Sequence, residues 1–489
     1  MTSPESLPSV PDALATRLRE LAGMGAVAGV AVTVVREGQA IGFWSAGDAS
    51  LPFRVPVTDH TLFHIGSVGK HITALAVMQL VDAGSVMLDA LIGGYLEGLP
   101  PLWAAIPVRR LLTHTSGLPD YGRVIRDWDR PQSRELILNA IGTAPLLFAP
   151  GTAWAYSNTN YVVLGWLIEA ISGQSYADYL RHRLLGPAAL PSARVDSADD
   201  VIPDRAEPYD HINGRFVHAV QLERSVSAAA DGGVLFSARD IAPWSTALAG
   251  ERLVSRMLMS EATKGALLTT GRQVPYGFGW FVERTAGHPM QRHAGRVPGF
   301  AAFLMHLAGP ALWVAVMANT TPPPPVLLVA LTAAEAFSPG STFLSLPPAG
   351  DGRDPRTLRA RQMLERTGAP DLDWFAPEMQ VLLRSGGEGF QASLPGRLPP
   401  LDRLEPIESY PVPGGQMVRY RASLGSHVAH YLFGWTDDDK IFWSTAITNS
   451  STVYIRRSQV SLNMWPKRTP SGAAIMIVGI IATKIARST

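Results

Sequence analysis

Cysteine is absent from all 489 residues. That excludes disulfide staples, thiolate nucleophiles and cysteine-ligated metal, and it leaves the redox character of the compartment undetermined. Charge of one sign is missing as well, since 42 Lys and Arg stand against 41 Asp and Glu. No net field exists to gather nucleic acid or an anionic membrane, so neither is expected as a partner. The N-terminal stretch MTSPESLPSVPDALATRLREL lacks a basic segment leading into an apolar one, which predicts no export signal and a cytoplasmic residence. Near the other end, Gly472 to Thr483 is apolar for about a dozen residues, short of the roughly 20 that a helix needs to cross a bilayer. Its Ile and Val content predicts a buried strand or packed tail.

Several signatures of chemistry are also lacking. No Gly-x-Ser-x-Gly occurs, which argues against the nucleophile elbow of α/β-hydrolases. There is no phosphate-binding glycine loop, dinucleotide fingerprint or His-Glu-x-x-His. His60, His64 and His71 lie close in sequence without an acidic partner at metal-ligand spacing, so they are expected to have separate structural roles. Neither a metal nor a cofactor is predicted.

What the chain does have is apolar material, 46% of its residues, enough for one large domain and a smaller one. Val27 to Arg36 and Gln39 to Ser45, joined at Glu37-Gly38, read as a β-hairpin. Far downstream, Phe300 to Leu307 and Leu312 to Ala318 read as another. Strands from both ends can share one antiparallel sheet with helices packed on it. The middle is mainly helical: Val68 to Ala83 and Tyr161 to Ile171 carry long apolar faces and end at Gly84 and Gly173, suited to the left-handed residue after a helix.

An apolar helix from Val326 to Phe337 closes this first unit, predicted to span residues 10–337. Residues 338–354, rich in Pro, Gly and Ser, read as a linker. Residues 355–489 are predicted to form an accessory domain with a helix at Arg356 to Arg366. Its strands are expected at Met417 to Ala422, His427 to Trp435, Lys440 to Ile447 and Thr452 to Arg456. The expected fold class is therefore α+β in both parts, helices flanking antiparallel sheet.

Three short segments could carry chemistry. In Ile65-Gly66-Ser67-Val68-Gly69-Lys70 a separation of three residues at a helix start lets the Ser67 hydroxyl meet the Lys70 amine. A lysine desolvated there can have its pKa lowered enough to take the serine proton. The rival reading is an N-capping serine beside a solvated lysine. In Tyr156-Ser157-Asn158, expected on an irregular, exposed turn, a phenol beside an ammonium group sheds its proton more readily and an amide can hold a carbonyl. Plain helix capping by Ser157 or Asn158 is the alternative there. In His293-Ala294-Gly295, expected just before the strand Phe300 to Leu307, the glycine lets a substrate approach the strand edge.

Taken in this order, Ser-x-x-Lys, Tyr-x-Asn and His-x-Gly resemble the motif set of the class C β-lactamase family, and the combination is far more specific than any part. His114-Thr115-Ser116-Gly117-Leu118-Pro119-Asp120-Tyr121, Phe148-Ala149-Pro150-Gly151, Asp231-Gly232-Gly233-Val234 and Tyr276-Gly277-Phe278-Gly279-Trp280 extend the likeness over most of residues 10–337. The resemblance implies a β-lactamase/transpeptidase-like fold and a serine hydrolase that cleaves a small ester or amide through an acyl-enzyme on Ser67. Lys70 and Tyr156 would share the proton transfers, with the choice of formal base open, and His293 would complete the catalytic set. The oxyanion hole would be the backbone N–H groups of Ser67 and Arg296, with Asn158, Gly295 and Arg296 binding substrate.

His293 stands where classical penicillin-binding enzymes carry lysine, as in the family's D-aminopeptidases and esterases, so esterase, D-aminopeptidase and β-lactamase-like activities all stay open, with a peptidoglycan or lactam carboxylate the less obvious target. Arg296 replaces a small residue and either narrows the cleft, clamps an acidic group or points to solvent. An acyltransferase using the same acyl-enzyme, and a non-catalytic binding protein, are the alternatives. The C-terminal part more faintly resembles the cystatin-like or nuclear-transport-factor-like domains that follow some hydrolases of this family, with a lipocalin-like barrel as the competing form.

Overall fold

The computed structural model describes residues 6–448 apart from 24–25, 126–131, 191, 198–199, 221–229, 351, 366–370, 385–400 and 426. The predicted strand Thr452 to Arg456 and the apolar segment Gly472 to Thr483 lie outside the described residues. Strands from both ends of the first unit do share one antiparallel sheet. Its seven strands run in the order 281–285, 288–297, 300–307, 312–318, 29–36, 39–50, 55–56. The chain-distant pair at its centre is in register from Val30 opposite Ala318 to Arg36 opposite Leu312.

Both faces of those central strands are covered, which is why their sequences read as nearly continuous apolar runs. Alternation decides what each face meets. Val30, Val32 and Val34, with Val314 and Val316, pack against Leu14, Leu18 and Leu21 of the helix Asp12–Gly23 and against the helix Val326–Phe337. Ala31, Val35, Ala315 and Met317 face the opposite way, into a larger core. The helices Lys70–Asp82, Asn158–Ser172 and Ile241–Ala249 fill that core.

The helix after Ser67 starts later than its apolar pattern implies, because Gly66–Gly69 winds as a 3-10 turn before Lys70 opens the α-helix. Gly173 takes the left-handed conformation expected of it, φ 67°. The first two strands of the sheet, Phe281–Thr285 and His288–Val297, do not follow from the local sequence pattern. His293 therefore lies within a strand, paired with Leu304, and not in a loop leading to one.

A separate C-terminal sheet follows. Four antiparallel strands, Arg403–Val412, Gly415–Leu424, His427–Trp435 and Ile441–Thr448, pair in sequence order. The helices Pro355–Glu365 and Pro377–Arg384 accompany them. Met363, Phe375 and Leu382 share one core with Tyr420, Phe433 and Trp435 of this sheet. That core reaches across to Phe148 and Ala153 of the first unit. The last segment before the Tyr156 turn is thus wedged between the two parts.

Candidate active site

Ser67 sits in the 3-10 turn, with Lys70 one turn further along. The geometry draws them together: Lys70 Nζ donates to Ser67 Oγ at 2.9 Å, to Asn158 Oδ1 at 2.9 Å and to the Asp231 carbonyl at 2.5 Å. All three ammonium hydrogens are used. The lysine has 0% exposure, and this burial lowers its pKa to about 8 against the opposing pull of Asp231 and Asp120. The alternative of a solvated lysine is excluded by that burial.

Backbones converge on the turn more tightly than side chains would allow. A Cβ on Gly295 would collide with the Ile65 carbonyl and come within 3.1 Å of Ser67 N. One on Gly66, at φ 52°, would stand 2.8 Å from Arg296 N. The strand His288–Val297 therefore lies directly against the turn, with the amides of Ser67 and Arg296 at the same junction. The Arg296 side chain is exposed.

Tyr156 and Ser157 are irregular as expected, whereas Asn158 already opens the helix Asn158–Ser172, and none of the three is exposed. Ser157 is buried, Tyr156 and Asn158 are half-buried, and the Tyr156 hydroxyl has lost all contact with solvent. Ser157 is the residue before the helix Asn158–Ser172 yet makes no side-chain cap; its hydroxyl donates to the Pro119 carbonyl. Lys70 Nζ lies 5.1 Å from the centre of the Tyr156 ring. That proximity does not acidify the phenol. Burial dominates and pushes its pKa well above the usual value, with a smaller opposing contribution from Ser67. Tyr156 is thus a neutral phenol whose hydroxyl, near Ser67, has no partner within full hydrogen-bond distance among the described residues. Asn158 is a bridge as much as a ligand, because its amide N–H donates to Asp120 at 3.3 Å while its oxygen serves Lys70.

His293 stands one ring removed from this group, 6.1 Å from Tyr156 between ring centres. Burial holds its pKa well below the usual imidazole value, with Lys70 adding to the effect. The ring is therefore neutral. Its Nδ1–H donates to the Ala294 carbonyl at 2.7 Å, which leaves Nε2 to accept from the Tyr276 hydroxyl at 3.1 Å. Ser67, Lys70 and Asn158 are thus joined directly, whereas His293 reaches the group through Tyr276 and ring packing.

Residues of the longer motifs complete the surroundings, although no individual role for them follows from the sequence. The half-buried Asp231 carboxylate accepts from the Tyr121 hydroxyl at 2.9 Å. His114 is fully buried and lies 4.3 Å from Tyr156, ring to ring; its Nδ1 accepts from Asn160 Nδ2 at 2.9 Å. The signal that could have found them is their place in the quoted motifs. His64 and His71 serve the frame: His64 accepts from Gly66 N, and His71 accepts from the Trp244 indole at 2.8 Å. Among the described residues no group of His, Asp and Glu is placed to hold a metal ion, and no helix is long and apolar enough to cross a membrane.

A family model for beta-lactamase matches residues 14–336. The chain belongs to the beta-lactamase family. Among its relatives it is 30% identical over 301 residues to a D-aminopeptidase of Brucella ovis, an alignment covering 60% of this chain and 56% of that protein. It is 29% identical over 285 residues to Penicillin-binding protein 4* of Bacillus subtilis, covering 53% and 61%. The match thus spans less than two thirds of these relatives' lengths. Among solved structures, the D-amino acid amidase of Ochrobactrum anthropi SV3 complexed with L-phenylalanine aligns with a TM-score of 0.58 at 25% identity. That alignment covers 66% of this chain and 98% of the amidase.

Proposed function

We propose that this protein is a serine hydrolase that cleaves a small amide or ester, with an amide of a D-configured residue as the leading substrate class, through an acyl-enzyme on Ser67. The observation that carries the reading is the 2.9 Å contact between Ser67 Oγ and an entirely buried Lys70 amine. With its pKa lowered to about 8, this amine is within reach of the neutral form that can accept a proton. The D-residue preference draws on the D-aminopeptidase and D-amino acid amidase relatives, and on histidine at position 293.

In this reading neutral Lys70 takes the Ser67 proton as Oγ attacks the carbonyl carbon. The N–H groups of Ser67 and Arg296 hold the oxygen that gains charge, an interaction worth a few kcal/mol. Collapse expels the amine or alcohol, which receives its proton by way of the Tyr156 phenol, and Lys70 restores the phenol's proton. Water then attacks the ester, giving its proton to the same groups, and Ser67 leaves protonated. Asn158 orients Lys70 and has a second amide hydrogen for the substrate, while His293 and Gly295 form the cleft edge. Residues 10–337 make up this catalytic unit in our reading, 338–354 the linker and 355–489 an accessory domain of helix-on-sheet type.

Intact-mass measurement after incubation with a small fluorophosphonate tests the proposal. A single adduct is expected on the wild type and none on Ser67→Ala; a wild type that gains no mass while hydrolysing no D-residue p-nitroanilide would overturn it. Repeating turnover with added alcohols or amines shows whether water or another acceptor takes the acyl group.

A further inference from the structure

The C-terminal sheet does more than sit beside the catalytic unit, because its last described strand sends one large side chain into the wall behind His293. Trp443 is only 5% exposed. Its ring lies 4.7 Å from that of Trp154 and 6.4 Å from that of Phe281. Both of those rings face Tyr276, at 5.8 and 4.9 Å, and Phe281 is also 5.4 Å from His293. Tyr276 then donates the hydrogen bond that occupies His293 Nε2. We infer that Trp443 is a positioning residue for the proposed active site, holding Trp154 and Phe281 so that Tyr276 and His293 keep the cleft-edge strand in place.

A second contact between the same two parts acts on the same strand. Arg419 of the C-terminal sheet is fully buried; it donates to the Arg284 carbonyl at 2.9 Å and pairs with Glu408 at 3.2 Å and Glu283 at 3.6 Å. Glu283 in turn pairs with Arg292 at 2.5 Å, the residue before His293. Two acids and two bases thus compensate one another across the boundary. Breaking such a buried set exposes the partners to an uncompensated charge, so it fixes the relative height of the two sheets. Trp443 supplies the packing on top of that fixed frame. Its removal takes away the ring that Trp154 and Phe281 share as a neighbour, while the Ser67–Lys70 pair, in the turn and helix beyond, is untouched.

The inference rests on the hydrolase reading for its kinetic arm alone. Full-length Trp443→Ala, Trp443→Leu and Trp443→Phe are compared with the wild type in turnover of a D-residue p-nitroanilide, in the rate of fluorophosphonate labelling, and in the imidazole 15N spectrum with the His293 signals assigned by His293→Gln. For Trp443→Ala we expect kcat/KM to fall by about tenfold or more, since a displacement of about 1 Å costs up to a hundredfold, while labelling of Ser67 stays within about threefold of wild type. The His293 signals should leave the pattern of one fixed tautomer, protonated at Nδ1. Trp443→Phe, which keeps an aromatic face against Trp154, should restore most of the activity and the tautomer pattern. If the alanine variant does not fold, the leucine variant carries the same expectations. Wild-type kinetics with unmoved His293 signals would overturn the inference, as would equal losses in the phenylalanine and alanine variants with those signals unmoved. A wild type that takes up no label would sink the hydrolase reading by itself, because the nitrogen spectrum still reports on the positioning.

Discussion

A single lysine sets the chemistry available at this site, and its environment pulls it two ways. Removing the amine from water favours the neutral form and lowers the pKa to about 8, whereas Asp231 and Asp120 favour the charged form. Burial wins because the lysine has no exposure at all. If neutral Lys70 is the base, kcat/KM should climb as pH rises through about 8, and a rate independent of pH from 6 to 9 would count against that role. Asp120→Asn removes one influence that raises the pKa, so the rising limb should move to lower pH. A limb that stays in place or moves up would show that the carboxylate does not act on the lysine. Ser-x-x-Lys was legible in the sequence as a contact, but the acids were not. Asp120 and Asp231 come from chain positions 50 and 161 residues away from Lys70, and only folding turns them toward it.

At the level of the element, the strand His288–Val297 is where sequence reading and structure part most clearly. Its sequence HPMQRHAGRV lacks period-two alternation, and four consecutive residues from Met290 to His293 are buried. Burial of Arg292 is tolerated because Glu283 lies on the neighbouring strand to pair with it, a compensation that local pattern does not reveal. The strands at the sheet's centre, by contrast, were legible because Val and Ala fill both faces. The place of this strand against the Ser67 turn also explains why Gly295 must be glycine: any Cβ would collide with the Ile65 carbonyl. Gly295→Ala should push the Arg296 amide away from Ser67 and lower kcat by about a hundredfold or more, the usual loss when one oxyanion donor is misplaced. Steady-state kinetics beside a melting curve would check this; near-normal kcat in a folded variant would rule out the amide's role.

The molecule as a whole carries an acid lability that its composition alone does not announce. Burial lowers the pKa of His64, His71 and His430 to about 3 and of His306 to about 4, and holds His114 and His293 well below the usual value. Each is neutral when folded and takes up a proton on unfolding once pH falls below about 6.5. The unfolded state then binds more protons, so stability is lost as pH falls, by roughly 1.4 kcal/mol per pH unit for each such histidine. The raised pKa values of Asp120, Asp210 and Asp231 oppose this, but they are three against six. Calorimetry should therefore show Tm dropping steadily from pH 6.5 towards pH 4. A flat profile would mean that these rings are hydrated or already charged in the folded protein.

Sequence by itself determined the central strands, the long helices and the chemistry they could carry. Apolar runs bounded by turn residues specify the central strands, apolar faces ending at glycine specify the long helices, and Ser67, Lys70, Tyr156 and His293 stand in motifs whose order marks the beta-lactamase family. These are local properties, written in spacing and residue type. Tertiary structure decided the rest: that the Tyr156 phenol is buried and neutral, that Asn158 spans Lys70 and Asp120, that His293 is held through Tyr276, and that Trp443 of the second sheet closes the wall behind it. Each of these depends on desolvation and on contacts between residues far apart in the chain, and both come into being only when the chain packs.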